Sequence, residues 1–213
     1  MLTAATLAWA ACPDCAPALA ARAAIRADPN VWTYVALMLA PFAVVGLGWA
    51  LRGRGLADRP IVSAGILLGV GLGGFVDGIA LHQMLQWHNM LSSWIPPDDL
   101  VAMKINMVWD GAFHIFTWTM TAVGLALLWR AGLRRDVVPW VTRTFVGALL
   151  LGWGLFNAIE GVVDHQILGI HHVHPGRAEL AWDLGFIASG VALVVAGLLL
   201  IRSGRRTTDE LRA

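Results

Sequence analysis

All seven histidines of the chain, His82, His88, His114, His165, His171, His172 and His174, lie between residues 82 and 174, interleaved with Asp77, Asp110, Glu160, Asp164 and Asp183. Imidazole mixed with carboxylate is a donor set that suits zinc, iron, copper or manganese. The residues are also duplicated. DGIALHQMLQWH, Asp77 to His88, aligns without a gap on EGVVDHQILGIH, Glu160 to His171, so that acid, glycine, His-Gln, leucine and a final histidine recur at the same spacing. After each copy comes a loop and then a Trp-Asp pair, Trp109-Asp110 and Trp182-Asp183.

The environment sharpens the chemistry. A carboxylate inside an apolar helix is costly unless something compensates it. Lysine and arginine are nearly absent at that depth, which leaves a divalent cation shared with the imidazoles. The candidate ligands are Asp77, His82, His88, Asp110, His114, Glu160, Asp164, His165, His171, His172 and Asp183. Each of them alone could instead be a hydrogen-bonded helix contact, and Gln83 and Gln166 could cross-link helices. Recurrence of acid and histidine at matched offsets in both copies favours metal. Four methionines, Met84, Met90, Met103 and Met107, fall near the same ends. Thioether is a soft ligand that favours Cu(I), so copper is the first expectation, with zinc and iron open.

Helical spacing gathers only part of this set. Residues three, four, seven and eleven apart share a face, which joins Asp110 to His114, and Glu160 and Asp164 to His171. His82 and His165 follow Asp77 and Glu160 by five residues, roughly 140° around an ideal helix. They need another partner or a local distortion, which Gly78 and Gly161 would permit.

The elements that must position these residues are membrane helices. The chain is 58% hydrophobic and 14% charged over 213 residues, outside the balance of a soluble globule. Five apolar runs reach the roughly 20 residues that cross a bilayer: Val31 to Leu51, Ile61 to Gln86, Lys104 to Trp129, Trp140 to Leu168 and Ala178 to Ile201. The expected fold is therefore an all-α membrane protein of about five transmembrane helices. Spans two and three repeat spans four and five in the same sense, a parallel pseudo-twofold around a four-helix bundle core. Glycines 69, 71, 73, 74, 152 and 154 are expected at close helix contacts.

Basic residues set the expected orientation. Arg52, Arg54, Arg59, Arg130, Arg134, Arg135, Arg143, Arg202, Arg205, Arg206 and Arg212 fall on one side, against Arg22, Arg26, Lys104 and Arg177 on the other. The N-terminus is expected outside and the C-terminus inside the cytoplasmic membrane of a bacterium, with every histidine in the outer half or its loops. Residues 1–30 form an outward segment, 31–202 the membrane domain and 203–213 a cytoplasmic tail. The apolar start lacks the basic residues of a signal peptide and is expected to stay attached. It carries Cys12-Pro-Asp-Cys15, which could be a disulfide, a redox pair or a metal ligand pair. A net charge of +1 speaks against nucleic acid as a partner.

Phe75 to His88 reads F-x-D-G-I-x-L-H-Q-x-L-Q-W-H, and Asn157 to Gln166 reads N-x-x-E-G-x-x-D-H-Q with His171-His172-Val173 downstream. At these motifs the chain resembles a family of small bacterial membrane proteins of unknown function. The resemblance covers spans two to five and implies the architecture and a shared polar site. Three function classes follow from the residues. The first is a copper-binding membrane protein serving metal homeostasis or respiratory-oxidase assembly, with the bilayer and a membrane or periplasmic metalloprotein as partners. The second is a metal-dependent membrane enzyme, an oxidase or hydrolase with a di-metal site and a base such as Glu160 or Asp164. The third is a transmembrane haem protein. Reporter fusions at Ile95 and Arg134 should report outside and inside respectively; the reverse would move the cluster to the cytoplasmic face.

Overall fold

The computed structural model describes residues 16–30, 33, 36, 60–133 and 142–210. The first expected span, nearly all of it, and the Cys12/Cys15 pair lie outside the described residues. Helices α1 (Ala16–Ala27), α2 (Pro60–Asp77), α3 (Leu100–Leu133), α4 (Thr142–Glu160) and α5 (Glu179–Glu210) account for most of the rest. α2 runs on into a π-helical segment at Gly78–Met84, and α4 does the same at Gly161–Ile167. The described residues contain no strand. Helix α5 continues unbroken past Ile201 to Glu210, through the point at which the cytoplasmic tail was expected to begin.

Four stretches are long and apolar enough to cross a membrane, Ile61–Met84, Leu100–Leu133, Thr142–Ile167 and Glu179–Gly204, and they coincide with spans two to five. The protein is an all-α membrane protein. Helix α3, at 34 residues, would measure about 50 Å and so outreach the roughly 30 Å of hydrocarbon. Ile115, Trp118, Leu125 and Trp129 on α3, like Leu184, Val191, Val195 and Leu199 on α5, are exposed. Bulky apolar side chains facing outward are what a lipid-facing helix requires.

The core is less a four-sided bundle than an inner pair with two flanking helices. α2 packs on α4, α3 packs on α2, and α5 packs on α4. Glycine makes the inner pair possible. A Cβ on Gly69 would lie 2.1 Å from the Leu149 carbonyl oxygen, and one on Gly152 would lie 2.1 Å from that of Ile66. These two contacts are the same contact seen from each half, because the offset that carries Asp77 to Glu160 also carries Gly69 to Gly152 and Ile66 to Leu149. The flanking helices repeat in the same way. Gly71 meets Thr117 and Thr121 of α3, while Gly154 meets Gly190 and Val194 of α5. Backbone approach this close substitutes for the hydrophobic drive that lipid removes.

At the histidine-bearing end, α1 lies against α3, with Ala24, Ile25 and Asp28 facing Ile95, Ile105 and Trp109 across a small cavity. The Asp99 carboxylate caps α3 by accepting from the Val101 and Ala102 amides, which leaves fewer orphan donors at that terminus.

Gly69→Ala should lower the thermal midpoint in detergent, since the added methyl must push two backbones apart at a cost of about 1–3 kcal/mol. Gly185→Ala, where a Cβ would meet nothing within 4 Å, should leave the midpoint unchanged or raise it by the helix-propensity gain of up to about 1 kcal/mol. Equal effects of the two substitutions in a thermal-shift assay would contradict this packing.

Candidate metal centre

The histidine clusters are built by a change of helical pitch. In the π segments the backbone bonds to the fifth residue on, or further: Leu85 N–H donates to Ala80 O and Trp87 to Leu81 O, and Leu168 to Val163 O and Ile170 to Asp164 O in the second half. Five residues then make about one turn, so His82 swings back over Asp77. Its Nε2 lies 3.1 Å from Asp77 Oδ2. The distortion starts at the glycine of each motif. A Cβ on Gly78 would meet His114 Cε1 at 2.5 Å, and one on Gly161 would meet Ile187 Cγ1 at 2.6 Å. Two residues past each π segment stands a left-handed residue, Gln86 (φ 51°) in the first half and Gly169 (φ 55°) in the second.

Past these turns the two halves interlock. His88 Nδ1 pairs with Val173 O at 2.8 Å, and His171 Nδ1 pairs with Met90 O at 3.0 Å, so each motif's last histidine is held by a backbone carbonyl of the other. A carbonyl only accepts, which places the proton of both rings on Nδ1 and leaves Nε2 as a lone-pair donor. The two rings stack with centroids 4.8 Å apart and planes 8° apart. Burial pushes the His88 imidazole down to about 4, with His82 nearby acting in the same direction. Burial also holds His171 well below the ordinary imidazole value. Both are neutral ligand forms at physiological pH.

The carboxylates that follow each tryptophan stand behind the histidines. Asp110 Oδ1 accepts from the Met90 amide at 2.8 Å and contacts His82 Nδ1 at 2.9 Å, and its Oδ2 accepts from Asn89 Nδ2 at 2.8 Å. Asp183 Oδ1 accepts from the Val173 amide at 3.0 Å and lies 3.4 Å from His165 Nδ1. Its Oδ2 takes Gln166 Nε2 at 2.9 Å and His172 Nδ1 at 2.7 Å. A carboxylate on the far nitrogen orients an imidazole and raises its basicity.

What converges at the centre is a set of buried imidazole nitrogens and carboxylate oxygens. The Nε2 atoms of His88, His165 and His171, both Glu160 oxygens and Asp164 Oδ1 are buried and lack a hydrogen-bond partner among the described residues, while Asp77 Oδ2 and His82 Nε2 meet only each other, at 3.1 Å. Leaving such groups unmatched costs about 1–3 kcal/mol each. Two three-donor groups are close enough to hold an ion: His82, His88 and His171, and Glu160, His165 and His171, with the donor atoms of each within 4.8 Å of one another.

The remaining expected ligands are placed differently. Asp110 and Asp183 bind the backs of His82 and His165. His172 lies further out between Asp183 and Glu179, with Nε2 3.4 Å from Glu179 Oε1. His114 shares the face of Asp110 but sits a turn deeper, against Gly78 and edge-on to Phe75 and Phe113, and joins neither group. His174 packs between Trp87 and Trp182. The methionines do not gather there either: Met84, Met103 and Met107 are exposed, and Met90 packs with Leu91, Trp109, Phe113 and Phe156. Sequence reasoning missed Asn89 and Asn106. Extending the repeat by one residue pairs Asn89 with His172, and both bind the Trp-Asp carboxylate. Asn106 carries no such signal; it pins the first loop through Leu91 N–H, Ile95 O and Ala102 O.

Four apolar spans around a polar core at one end define a multi-pass helical membrane protein with a buried histidine–carboxylate centre. Residues 64–204 match the family described as "Predicted membrane protein (DUF2243)", and the chain belongs to that family. No curated protein and no solved structure matches it.

In the metal-free protein at pH 6, nitrogen-15 spectra should show His88 and His171 as neutral Nδ1–H tautomers, although a free imidazole is largely protonated there. Finding Nε2–H or imidazolium at either ring would contradict the crossed carbonyl bonds.

Proposed function

We propose that this is an integral membrane transition-metal-binding protein, with its centre in the outer half of the bacterial cytoplasmic membrane. The observation that carries the reading is the buried set of imidazole nitrogens and carboxylate oxygens that find no hydrogen-bond partner among the described residues. Hydrogen bonding explains the far side of the rings. It does not explain the near side, where, apart from the 3.1 Å contact of Asp77 Oδ2 with His82 Nε2, the buried atoms are unmatched and a cation answers them at once.

Copper is the ion proposed first. Nitrogen-rich sites bind Cu(II) more tightly than the other divalent first-row ions, and carboxylates suit Cu(II) better than Cu(I). The case rests on the imidazoles, since the thioethers stand elsewhere. Zinc and iron are the competing outcomes. The ion would be held for metal homeostasis or for a neighbouring membrane or periplasmic metalloprotein such as a respiratory oxidase. A metal-dependent enzyme is the second reading, favoured by Asp164: it is buried with one oxygen unpartnered, and its counterpart in the first half is Leu81. Haem is disfavoured because ring centroids of 4.4 to 5.8 Å among His82, His88 and His171 leave no slot for a planar macrocycle.

Elemental analysis of detergent-purified protein should find about one equivalent or more of a first-row metal, and reloading the chelated protein should raise its thermal midpoint. His171→Ala should lower metal retention, because His171 belongs to both donor groups, whereas His114→Ala should retain the metal in full. Less than about a tenth of an equivalent after reconstitution would overturn the proposal and leave shared protons as the compensation.

A further inference from the structure

We infer that the centre takes two metal ions, the second held by Glu160, His165 and His171; this rests on the transition-metal reading above. The first ion is the one beside Asp77, His82 and His88, because His171, whose Nδ1 proton goes to Met90 O, has a single lone pair and gives it to the second ion. Donor supply is the first ground. Six buried atoms, the Nε2 atoms of His88, His165 and His171, both Glu160 oxygens and Asp164 Oδ1, lack a hydrogen-bond partner among the described residues, and Asp77 Oδ2 and His82 Nε2 meet only each other. One first-row ion offers about four to six positions. Glu160 is 1% exposed and His165 2%, and neither the Glu160 oxygens nor the His165 Nε2 has a hydrogen-bond partner among the described residues, Asp183 standing 3.4 Å from the other His165 nitrogen. A first ion bound beside Asp77, His82 and His88 would leave Glu160 and the Nε2 of His165 uncompensated.

Direction is the second ground. An imidazole lone pair lies in the plane of its ring, so an ion at Nε2 lies in that plane as well. The His88 and His171 rings stack with their planes 8° apart, so their lone pairs lie in two separate, nearly parallel planes and one ion does not sit in both. Charge is the third. Asp77, Glu160 and Asp164 bring up to three negative charges to a site sealed from water, and a single dication leaves an excess. The duplication supplies the matching set: Asp77, His82 and His88 correspond one for one to Glu160, His165 and His171. Two divalent first-row ions side by side are the ligand class such a pair of half-sites takes, and at the few-ångström separations of two-metal sites they interact.

The test uses the full-length chain in detergent, stripped of metal and titrated with Cu(II). About two equivalents should bind with affinity above that of the detergent blank, and the loaded protein should show the half-field resonance of coupled Cu(II) spins. Glu160→Gln and, separately, His165→Ala should bring the stoichiometry to about one and remove the half-field signal while size-exclusion profile and helical circular dichroism stay as in the parent. One equivalent in the parent protein with an uncoupled spectrum would overturn the second ion and leave the transition-metal reading standing. Two equivalents persisting in both variants would overturn the assignment to Glu160 and His165. No Cu(II), Zn(II) or Fe(II) bound at all would overturn the transition-metal reading itself. The parent stoichiometry decides the matter even if a variant fails to fold.

Discussion

An α-helix carries residues five apart to different faces, and the whole centre depends on the two places where this chain abandons that pitch. Asp77 and His82, like Glu160 and His165, meet the same buried space only because the helix widens into a π segment at the intervening residues. The widening forfeits ordinary i to i+4 bonds, a disruption tolerated in a bilayer only when the freed groups find partners. They find them in the longer bonds from Leu85, Trp87, Leu168 and Ile170. Glycine at each start keeps the turn clear of His114 on one side and Ile187 on the other. The left-handed residues that follow the two segments then redirect the chain so that His88 and His171 fold back over the helix ends.

From that turn the rest follows by exchange between halves. Neither His88 nor His171 is fixed by its own motif; each is held by a carbonyl of the other, and the rings stack where the halves meet. The aspartates of α3 and α5 complete the arrangement by gathering loop amides and the backs of His82 and His165. Such buried polar networks are high-stakes: satisfied throughout they give one rigid geometry, and partly satisfied they are costly. Here the outer bonds are satisfied and, apart from the contact of His82 with Asp77, the inner faces are not, which concentrates the unmet polarity in the middle.

The two halves are not equivalent. His82 is gripped on both sides, by Asp110 at 2.9 Å and Asp77 at 3.1 Å, whereas Asp183 stands 3.4 Å from His165 and divides its other oxygen between Gln166 and His172. The second half holds an additional buried acid, Asp164, where the first has Leu81, and the first holds His114 where the second has Ile187. A more rigid first set beside a more acidic second set gives the pseudo-symmetric scaffold two chemically distinct sides.

How much of this was legible in the sequence depended on whether a property belonged to one helix or to several. Spans two to five, the duplication, and the confinement of polar residues to one end were readable, because apolar length and identical spacing are properties of the chain itself. The conflict at His82 and His165 was readable as well, since an ideal helix could not serve both acid and histidine; that it is resolved by π segments at Gly78 and Gly161 is a matter of backbone packing. Periodicity grouped Asp110 with His114 on one face. It had no means of showing that Asp110 meets the back of His82 while His114 is taken up by Gly78 and the neighbouring phenylalanines, because that depends on which helix stands opposite. Methionine position along the chain suggested a soft site, yet burial depends on rotation of the helix against its neighbours, and that rotation turned Met84, Met103 and Met107 outward. The sequence by itself determined which residues would be costly to bury. Only the tertiary structure decided which atoms face one another, because hydrogen-bond direction is set by the crossing of α2 with α4 and by the loops each half folds over the other.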